Sequence, residues 1–469
     1  MILKLILYTS LVRRLICKQM KPIYLFNILV GIMFLLGAHA RGATVDVFTA
    51  ASLQNALTVA ASNGQDDLIR VGAGLYYLDS TLLYLAPASE NKSLTILCTD
   101  GDAIIDAGSI YIGTMRGFMI GTTGTLAHVK LEGLTLRNGR IQSPDVGAGA
   151  FIYTRFGTVT LNRCTFQNNT ANELFNSVNA AGAFLKVDNS PGSVVLRDCS
   201  FSNNFAKGIG GGVYITAGYD VSVNLVQNRF VTNSASLGGG GAFIYMSHGV
   251  LTMDNNLFTR NLNGNGGGGG GAYIRLYSDS SSVATLRNNI LWGNTSENGI
   301  GGDVFFEDDY DGNSIGSTVT VHNCNFADID FQIGNRVTQG ANTNLNPSLT
   351  SDLHLRANSP SIDAGTNLAW MTGALDIDGQ PRIFNAQADM GPDEAFVSAV
   401  SITVSSNIVT AWDTVTDAKC QLQRCTNLLS PQIWQNVGNV VTASSCRVML
   451  TDTNGILPCG MYWLKWNRP

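Results

Sequence analysis

The sequence predicts an all-β chain coiled into a long parallel β-helix, and two repeated motifs carry the prediction. A glycine directly precedes a short apolar strand about every thirty residues, the spacing of a repeat protein, at Gly149, Gly182, Gly212, Gly241, Gly271 and Gly302. A second motif with this period ends in an asparagine three residues after a large apolar residue, in the pairs Phe166/Asn169, Phe201/Asn204, Phe230/Asn233, Phe258/Asn261 and Leu291/Asn294. With 45% hydrophobic and 13% charged residues, the chain can bury a continuous core.

The segments within each repeat predict strands. Stretches such as VTLNRCTF alternate in polarity and are rich in Val, Leu, Thr and Phe, and the repeat contains no amphipathic segment of helical length. Glycine and asparagine accept the positive φ of sharp turns, and stacked asparagines can hydrogen-bond along the axis. One coil position, two residues before the aromatic, is predicted to form an inward stack of small residues: Cys164, Cys199, Asn228, Asn256, Asn289 and Cys324.

The ends and boundaries of the repeat region are also predicted. Residues 1–40 have the basic start, apolar run and Ala38-His39-Ala40 of a signal peptide, with Met20 as an alternative start. Residues 41–396 form the β-helix, and Leu53 to Ala61 suit a short helix that caps its first coil. Residues 397–469 contain short strand-like runs typical of a small antiparallel β-sandwich. Within an exported chain, Cys420, Cys425, Cys446 and Cys459 are candidates for disulfides.

Three segments resemble known families. The paired motifs over residues 131–326 resemble the repeats of polymorphic outer-membrane proteins, which are pectin-lyase-like right-handed β-helices. The stretches DLHLRANSPSIDAG, DIDGQPR and ADMGPDE, between Asp352 and Glu394, are similar to the closing motif of secreted β-helix proteins of the choice-of-anchor Q type. QLQRCTNL and MYWLKW are similar to fibronectin-like modules of secreted bacterial proteins. These resemblances imply a right-handed parallel β-helix with a small C-terminal antiparallel β-sandwich, and they imply export without indicating a reaction.

Two classes of function fit this architecture. A non-catalytic surface or extracellular protein for adhesion or glycan binding is the favoured hypothesis, and it differs from a purely structural spacer only in having a ligand. The alternative is a polysaccharide lyase or glycoside hydrolase, since secreted β-helices often are such enzymes, but acidic residues are sparse between Gly139 and Gly301 and not in register. A net charge of −5 without a concentrated basic stretch argues against a nucleic-acid partner. The expected partner is a polysaccharide or a cell surface, and the mature chain is expected to have no transmembrane segment.

Two sets of candidate site residues follow. If the small and aliphatic residues of each glycine-preceded strand point inward, the aromatics between them form an external ladder suited to stacking on sugar rings: Phe151, Phe184, Tyr214, Phe243 and Tyr273. A one-residue slip would instead bury these rings. Asp309, Asp311 and Asn313 alternate as in calcium loops, although a solvated turn is the favoured interpretation, and no other cofactor is predicted. The six glycines from Gly266 to Gly271 predict an extended, mobile surface loop.

Overall fold

The computed structural model describes residues 43–108, 114–123, 128–172, 177–264, 266–277, 282–308, 316–332, 336–384, 386–396, 398–404, 408–425, 434–445, 447–452 and 461–467. Residues Thr44–Pro469 form one compact unit. The predicted signal peptide lies outside the described residues, and the predicted boundary between 396 and 397 stays a prediction.

The chain enters the fold through a capping helix and ten short strands. Helix α1 spans Ala50–Ala60; Thr49 caps its N-terminus by accepting a hydrogen bond from the Ser52 backbone N–H, and Leu53 and Leu57 are fully buried. The prediction of an N-terminal capping helix is confirmed. The strands of this region are β1 (Ala43–Val47), β2 (Asp67–Val71), β3 (Gly74–Tyr77), β4 (Leu82–Ala86), β5 (Leu94–Leu97), β6 (Ala103–Asp106), β7 (Phe118–Thr122), β8 (Val129–Glu132), β9 (Leu134–Arg137) and β10 (Arg140–Ile141).

The repeat region contributes the next twenty-three strands among the described residues. They are β11 (Ala150–Thr154), β12 (Gly157–Asn162), β13 (Thr165–Gln167), β14 (Thr170–Ala171), β15 (Ala183–Arg197), β16 (Ser200–Ser202), β17 (Phe205–Ala206), β18 (Val213–Val226), β19 (Arg229–Val231), β20 (Ser234–Ala235), β21 (Ala242–Met246), β22 (Val250–Asp254), β23 (Leu257–Thr259), β24 (Leu262–Asn263), β25 (Ala272–Leu276), β26 (Val283–Arg287), β27 (Ile290–Trp292), β28 (Thr295–Ser296), β29 (Val304–Asp308), β30 (Thr318–His322), β31 (Asn325–Phe326), β32 (Ile329–Gln332) and β33 (Val337–Gly340).

These strands stack in parallel as successive coils, which confirms the predicted parallel β-helix. Within the described residues they form parallel sheets of eighteen, nine and six strands. The largest sheet holds two adjoining columns, because β15 and β18 run continuously through both. We call the strands that follow each glycine motif the first column (such as β11 and β21), their successors the second column (such as β12 and β22), the nine-stranded sheet the third column and the six-stranded sheet the fourth column.

The first column has one of the two registers that the sequence leaves open, with its small and aliphatic residues pointing inward. Ala150, Ala183, Val213, Ala242 and Ala272 pair across successive coils and are fully buried, as are the aliphatic residues two positions later. Inside the third column, Phe166, Phe201, Phe230 and Phe258 stack with their ring centroids 4.9, 4.9 and 4.3 Å apart. The interior is therefore a continuous apolar column, with one layer contributed by each coil.

Two buried ladders of asparagines run parallel to this core. In one, Asn228 and Asn256 of the predicted inward stack each donate a side-chain hydrogen bond of 2.9 Å to the next asparagine of the stack. The other ladder runs through the asparagines that end the second motif: Asn169, Asn204, Asn233, Asn261 and Asn294. Each Nδ2 of this second ladder also donates to a backbone carbonyl of the preceding coil, so both of its protons are used in hydrogen bonds.

The last repeat departs from the predicted alignment by one residue. Ala272 pairs with Val304, so Asp303, and not Gly302, takes the coil position of Gly271. Its carboxylate accepts hydrogen bonds from the backbone and side-chain nitrogens of Asn294 at 3.2 and 2.8 Å. Asp303 thus ends the second asparagine ladder at the point where the next coil has no asparagine to offer.

The six glycines are packing residues, and the expectation of a mobile loop was wrong for most of them. Gly268, Gly269, Gly270 and Gly271 are buried. A Cβ on Gly270 would lie 2.2 Å from the carbonyl oxygen of Thr295, and one on Gly268 would lie 2.5 Å from the ring of Phe305. Glycine is required here because the neighbouring coil and an aromatic ring approach the backbone directly.

The C-terminal residues fold as two small antiparallel sheets, which confirms this part of the predicted fold class. The strands are β34 (Ser398–Val404), β35 (Ile408–Asp413), β36 (Lys419–Cys425), β37 (Gln435–Thr442), β38 (Arg447–Asp452) and β39 (Met461–Asn467). They pair in the orders β34-β35-β38 and β37-β36-β39. Trp412, Leu422 and Leu464 share a core with Leu355 and Met390 of the preceding segment. Cys446 and Cys459 lie outside the described residues, so the disulfides remain a prediction.

Between the two parts, residues 352–396, which we call the closing segment, fold back along the side of the β-helix. They contain a short 3-10 helix, Ala369–Met371. The segment is organised by Arg382, whose fully buried guanidinium pairs with the Glu394 carboxylate and donates to the carbonyl oxygens of Asp389 and Gly391. The Asp389 carboxylate accepts from the backbone N–H groups of Asp363 and Ala395. These polar residues of the motif resembling choice-of-anchor Q proteins therefore hydrogen-bond to one another.

Candidate functional site

The closing segment docks on one corner of the coils, and this contact creates the candidate site. Each coil turns from the second to the third column through one residue at positive φ, between 50° and 56°: Arg163, Asp198, Gln227, Asn255, Asn288 and Asn323. Asn288 Nδ2 donates to the carbonyl oxygen of Thr366 at 2.8 Å, and Asn255 Nδ2 donates to that of Gly391 at 3.0 Å. Gln227 Nε2 donates to the carbonyl oxygen of Leu375 at 3.0 Å. Polar turn residues of the repeat thus hold the closing segment in place.

Beyond Gln227 the closing segment stands away from the coils and leaves a cleft of about 540 Å³. One wall is formed by residues 374–377 and Gly379 of the closing segment. The opposite wall carries Arg163, Arg197 and Arg229, together with Asp198 and Gln227. We call this feature the arginine cleft.

The three arginines come from neighbouring positions of consecutive coils. Arg163 is the turn residue of its coil, Arg197 ends β15, and Arg229 begins β19. The Arg197 guanidinium lies 5.1 Å from the ring centroid of Trp370, a partly exposed residue whose Nε1 donates to Asp254 at 3.2 Å. The cleft therefore presents guanidinium groups beside an aromatic ring.

Charge in the cleft is only partly balanced. Arg163 pairs with Glu132 but keeps a side chain that is 60% exposed. Burial raises the pKa of Asp198, while a 2.8 Å hydrogen bond from Gln227 and the charges of Arg197 and Arg163 oppose that shift. In a protein whose net charge is −5, the lining of this cleft carries three arginines against two aspartates, Asp198 and Asp376. Guanidinium groups bind carboxylates and sulfates through paired hydrogen bonds, so the cleft has the chemistry of an anion site.

The predicted aromatic ladder lies outside the β-helix core, with its rings stacked from coil to coil. The centroids from Phe151 through Phe184, Tyr214 and Phe243 to Tyr273 are 5.4, 5.1, 5.2 and 4.6 Å apart. Phe243 and Tyr273 are only 5% and 6% exposed; they pack in one cluster with Phe305, and Gly238 and Gly267 lie against the Tyr273 ring. Phe151 and Tyr214 keep more accessible surface. The sequence left open whether these rings face outward or inward; they lie outside the β-helix core, although Phe184, Phe243 and Tyr273 are buried. The role of the ladder in binding stays a prediction.

The second set of candidate residues is the predicted calcium loop. Asp309, Asp311 and Asn313 lie outside the described residues, so the calcium hypothesis stays a prediction. Neighbouring Asp308 ends β29 and accepts a hydrogen bond from the Ser317 backbone N–H at 3.0 Å.

Sequence reasoning missed the arginine cleft, although part of its signal was present. The arginines lie inside the second repeated motif, in LNRCTF, LRDCSF and QNRF. Their opposite wall comes from the closing segment, and the contact between Gln227 and Leu375 joins residues 148 positions apart. This contact occurs once, so no repeated pattern in the sequence predicts it.

No family model matches the chain, and no curated protein matches it. Among the described residues, no helix has both the length and the apolar character needed to cross a membrane.

Proposed function

We propose that this protein is an exported, non-catalytic β-helix protein that binds an anionic polysaccharide in the arginine cleft. The observation that carries the proposal is the convergence of Arg163, Arg197 and Arg229 on one cleft that also holds Trp370 beside it. Carboxylate or sulfate groups along a sugar chain match the guanidiniums, and an aromatic face suits the ring of a sugar. The accessible rings of Phe151 and Tyr214 would extend contacts to the glycan elsewhere on the coils.

The cellular setting belongs to the same proposal. The signal-like residues 1–40 support export to the cell surface, the outer membrane or the medium. The likeness of the repeats to polymorphic outer-membrane proteins, and of the closing segment to choice-of-anchor Q proteins, supports membership of the pectin-lyase-like β-helices. Residues 397–469 would then attach or space the binding coils.

A polysaccharide lyase acting in the same cleft is the second candidate, and Asp198 is the observation that favours it. A carboxyl group whose pKa is raised by burial, placed beside arginines, is a combination found at catalytic sites. The arginines would neutralise a uronate carboxylate while the Asp198 carboxylate removes the proton from the carbon beside it; a C=C bond then forms as the neighbouring glycosidic C–O bond breaks, and the departing oxygen takes a proton from water. An assay for new unsaturated or reducing ends of the polysaccharide distinguishes cleavage from binding.

The test measures retention of the purified full chain on polygalacturonate, alginate and a sulfated glycan, with dextran as the neutral polymer. We expect retention on an anionic polymer that weakens as salt is added, because exposed charges are screened. Arg229→Gln should weaken binding about tenfold or more, since a hydrogen bond to a charged group contributes roughly 1.5–3 kcal/mol. Arg260→Gln, the same change at an exposed corner away from the cleft, should leave binding unchanged.

Three results would decide between the hypotheses. Retention that survives Arg229→Gln would remove the cleft as the binding site. Equal retention on dextran, or none on any polymer, would contradict an anionic glycan ligand. New unsaturated or reducing ends that vanish in Asp198→Asn would replace the binding proposal by the lyase.

A further inference from the structure

A second polar cluster lies on the other side of the loop that lines the arginine cleft. Residues Asp376 and Gly379 face the cleft, whereas Asp378 and Gln380 line a separate cavity of about 250 Å³. Asp376 holds this loop by accepting the backbone N–H groups of Asp378 and Gln380 at 2.9 and 2.8 Å. The loop therefore presents the Asp378 carboxylate in a fixed direction.

Three potential ligand atoms converge at this cavity. His354 Nδ1 lies 3.1 Å from Asp378 Oδ2 and 3.2 Å from Asp393 Oδ1. All three atoms lie within 4.8 Å of one another, close enough for one cation to touch each of them. Asp393 is the most enclosed, with a side chain that is 9% exposed, and its second oxygen accepts the Leu355 backbone N–H at 2.8 Å. That hydrogen bond orients the carboxylate toward the imidazole.

Hydrogen bonds between His354 and the two carboxylates cannot satisfy both carboxylates at once. Nδ1 carries at most one proton, yet it faces two carboxylate oxygens at nearly equal distances. A third carboxylate, that of Asp352, lies 3.8 Å from Nε2 on the other side of the ring. A divalent cation would satisfy all three converging atoms at once.

We propose that His354 Nδ1, Asp378 Oδ2 and Asp393 Oδ1 form a binding site for a divalent transition metal, with Zn²⁺ as its representative. The imidazole nitrogen selects for this class over Ca²⁺, which prefers an all-oxygen shell. The adjoining cavity, which Thr414 and Thr416 also line, leaves room for water to complete the coordination. The metal would displace the proton from Nδ1, so binding strengthens as the pH rises.

The site has a structural consequence for the arginine cleft, a consequence that rests on the proposed function. It would join His354 at the start of the closing segment to Asp378 and Asp393 near its end. Since Asp378 belongs to the loop that forms one wall of the cleft, the bound metal would fix that wall. The metal site itself does not depend on a glycan ligand.

The test titrates Zn²⁺ into the chelator-treated full chain by isothermal titration calorimetry. We expect one Zn²⁺ per chain at the site, with affinity lowered more than about tenfold in both Asp378→Asn and His354→Gln. Asp352→Asn is the matched control, because it removes a nearby carboxylate that is not among the three ligands, and it should retain the site. Asp378 is exposed on a surface loop, so Asp378→Asn tests the assignment even if His354→Gln does not fold.

The outcomes are separable from those of the glycan experiment. Absence of Zn²⁺ binding, or binding that both ligand variants retain, would overturn the site. Ca²⁺ binding with equal or higher affinity would overturn the assignment to a transition metal. A Zn²⁺ site in a chain that retains no glycan would support this inference and contradict only the proposed function.

Discussion

The buried asparagine ladder can be tested by the nearly isosteric replacement Asn233→Asp. Asn233 is fully buried, and its Nδ2 donates to the Phe201 carbonyl at 2.8 Å and to Asn261 Oδ1 at 3.0 Å. Its Oδ1 accepts from the side chain of Asn204 at 2.8 Å. Aspartate keeps the acceptor but places a second oxygen against two acceptors, so both donated hydrogen bonds are lost at one substitution.

The expected cost follows from those two hydrogen bonds. Each of the two lost hydrogen bonds sets the new oxygen against a buried acceptor at a cost of about 1–3 kcal/mol, although Asn261 Oδ1 keeps the backbone N–H of residue 233 as a donor, and burial of the new carboxyl group adds to this. We therefore expect Asn233→Asp to lower the free energy of unfolding by about 3–6 kcal/mol. Asn224→Asp is the matched control, because Asn224 lies half-buried on the outer face of the second column, and it should cost less than about 0.5 kcal/mol.

Urea unfolding followed by far-UV circular dichroism measures both variants against the wild type. A repeat protein can unfold in more than one step, so the transition of the coils is compared at several wavelengths and by tryptophan fluorescence. If Asn233→Asp unfolds within about 0.5 kcal/mol of Asn224→Asp, the ladder does not stabilise the coils through its donated hydrogen bonds.

Two further predictions concern neighbouring features of the coils. Burial raises the pKa of Asp303 from 3.8 to about 6 despite the hydrogen bonds from Asn294, so between these pH values the native state keeps a proton that the unfolded chain has released. The free energy of unfolding should fall as the pH rises through this window, by up to about 3 kcal/mol. Because asparagine does not titrate, the urea midpoint of the wild type should fall relative to that of Asp303→Asn between pH 4 and pH 7. A difference between the two midpoints that does not change with pH would contradict this. Gly241→Ala would place a Cβ 2.5 Å from the Gly271 carbonyl oxygen and should cost about 1–3 kcal/mol in thermal unfolding, whereas Gly121→Ala, whose nearest neighbour is a side-chain atom at 3.4 Å, should be tolerated. Equal melting temperatures for the two alanine variants would refute the packing argument.

The parts of the fold that repeat could be predicted from the sequence. Each coil packs against the next in the same way, so the same residue types recur at Phe201, Asn233 and Gly241 and at the equivalent positions of other coils. The period of about thirty residues therefore identifies them in the sequence. The inward direction of Ala150 and its equivalents could not be chosen from the sequence, because both faces of these strands are apolar. The predicted alignment of the last repeat at Gly302 was wrong by one residue. There Asp303 takes the coil position that glycine holds in the other repeats, and its carboxylate ends the ladder.

The parts that do not repeat could not be predicted in the same way. The arginine cleft depends on the closing segment reaching back past Gln227, and the cluster of His354, Asp378 and Asp393 depends on how that segment folds on itself. Such contacts join positions far apart in sequence and occur once, so they leave no period. The six glycines misled for a related reason: glycine content alone does not distinguish a free loop from backbone that a neighbouring coil approaches closely.

The docking of the closing segment changes how the β-helix can unfold. A solenoid whose coils touch only adjacent coils can fray from its ends one unit at a time. Here Asn323, Asn288, Asn255 and Gln227, on four consecutive coils, are all tied to the same closing segment. The coil that carries Asn323 cannot separate without first releasing the segment that also holds the three coils before it, so these four coils are bound into a single cooperative unit.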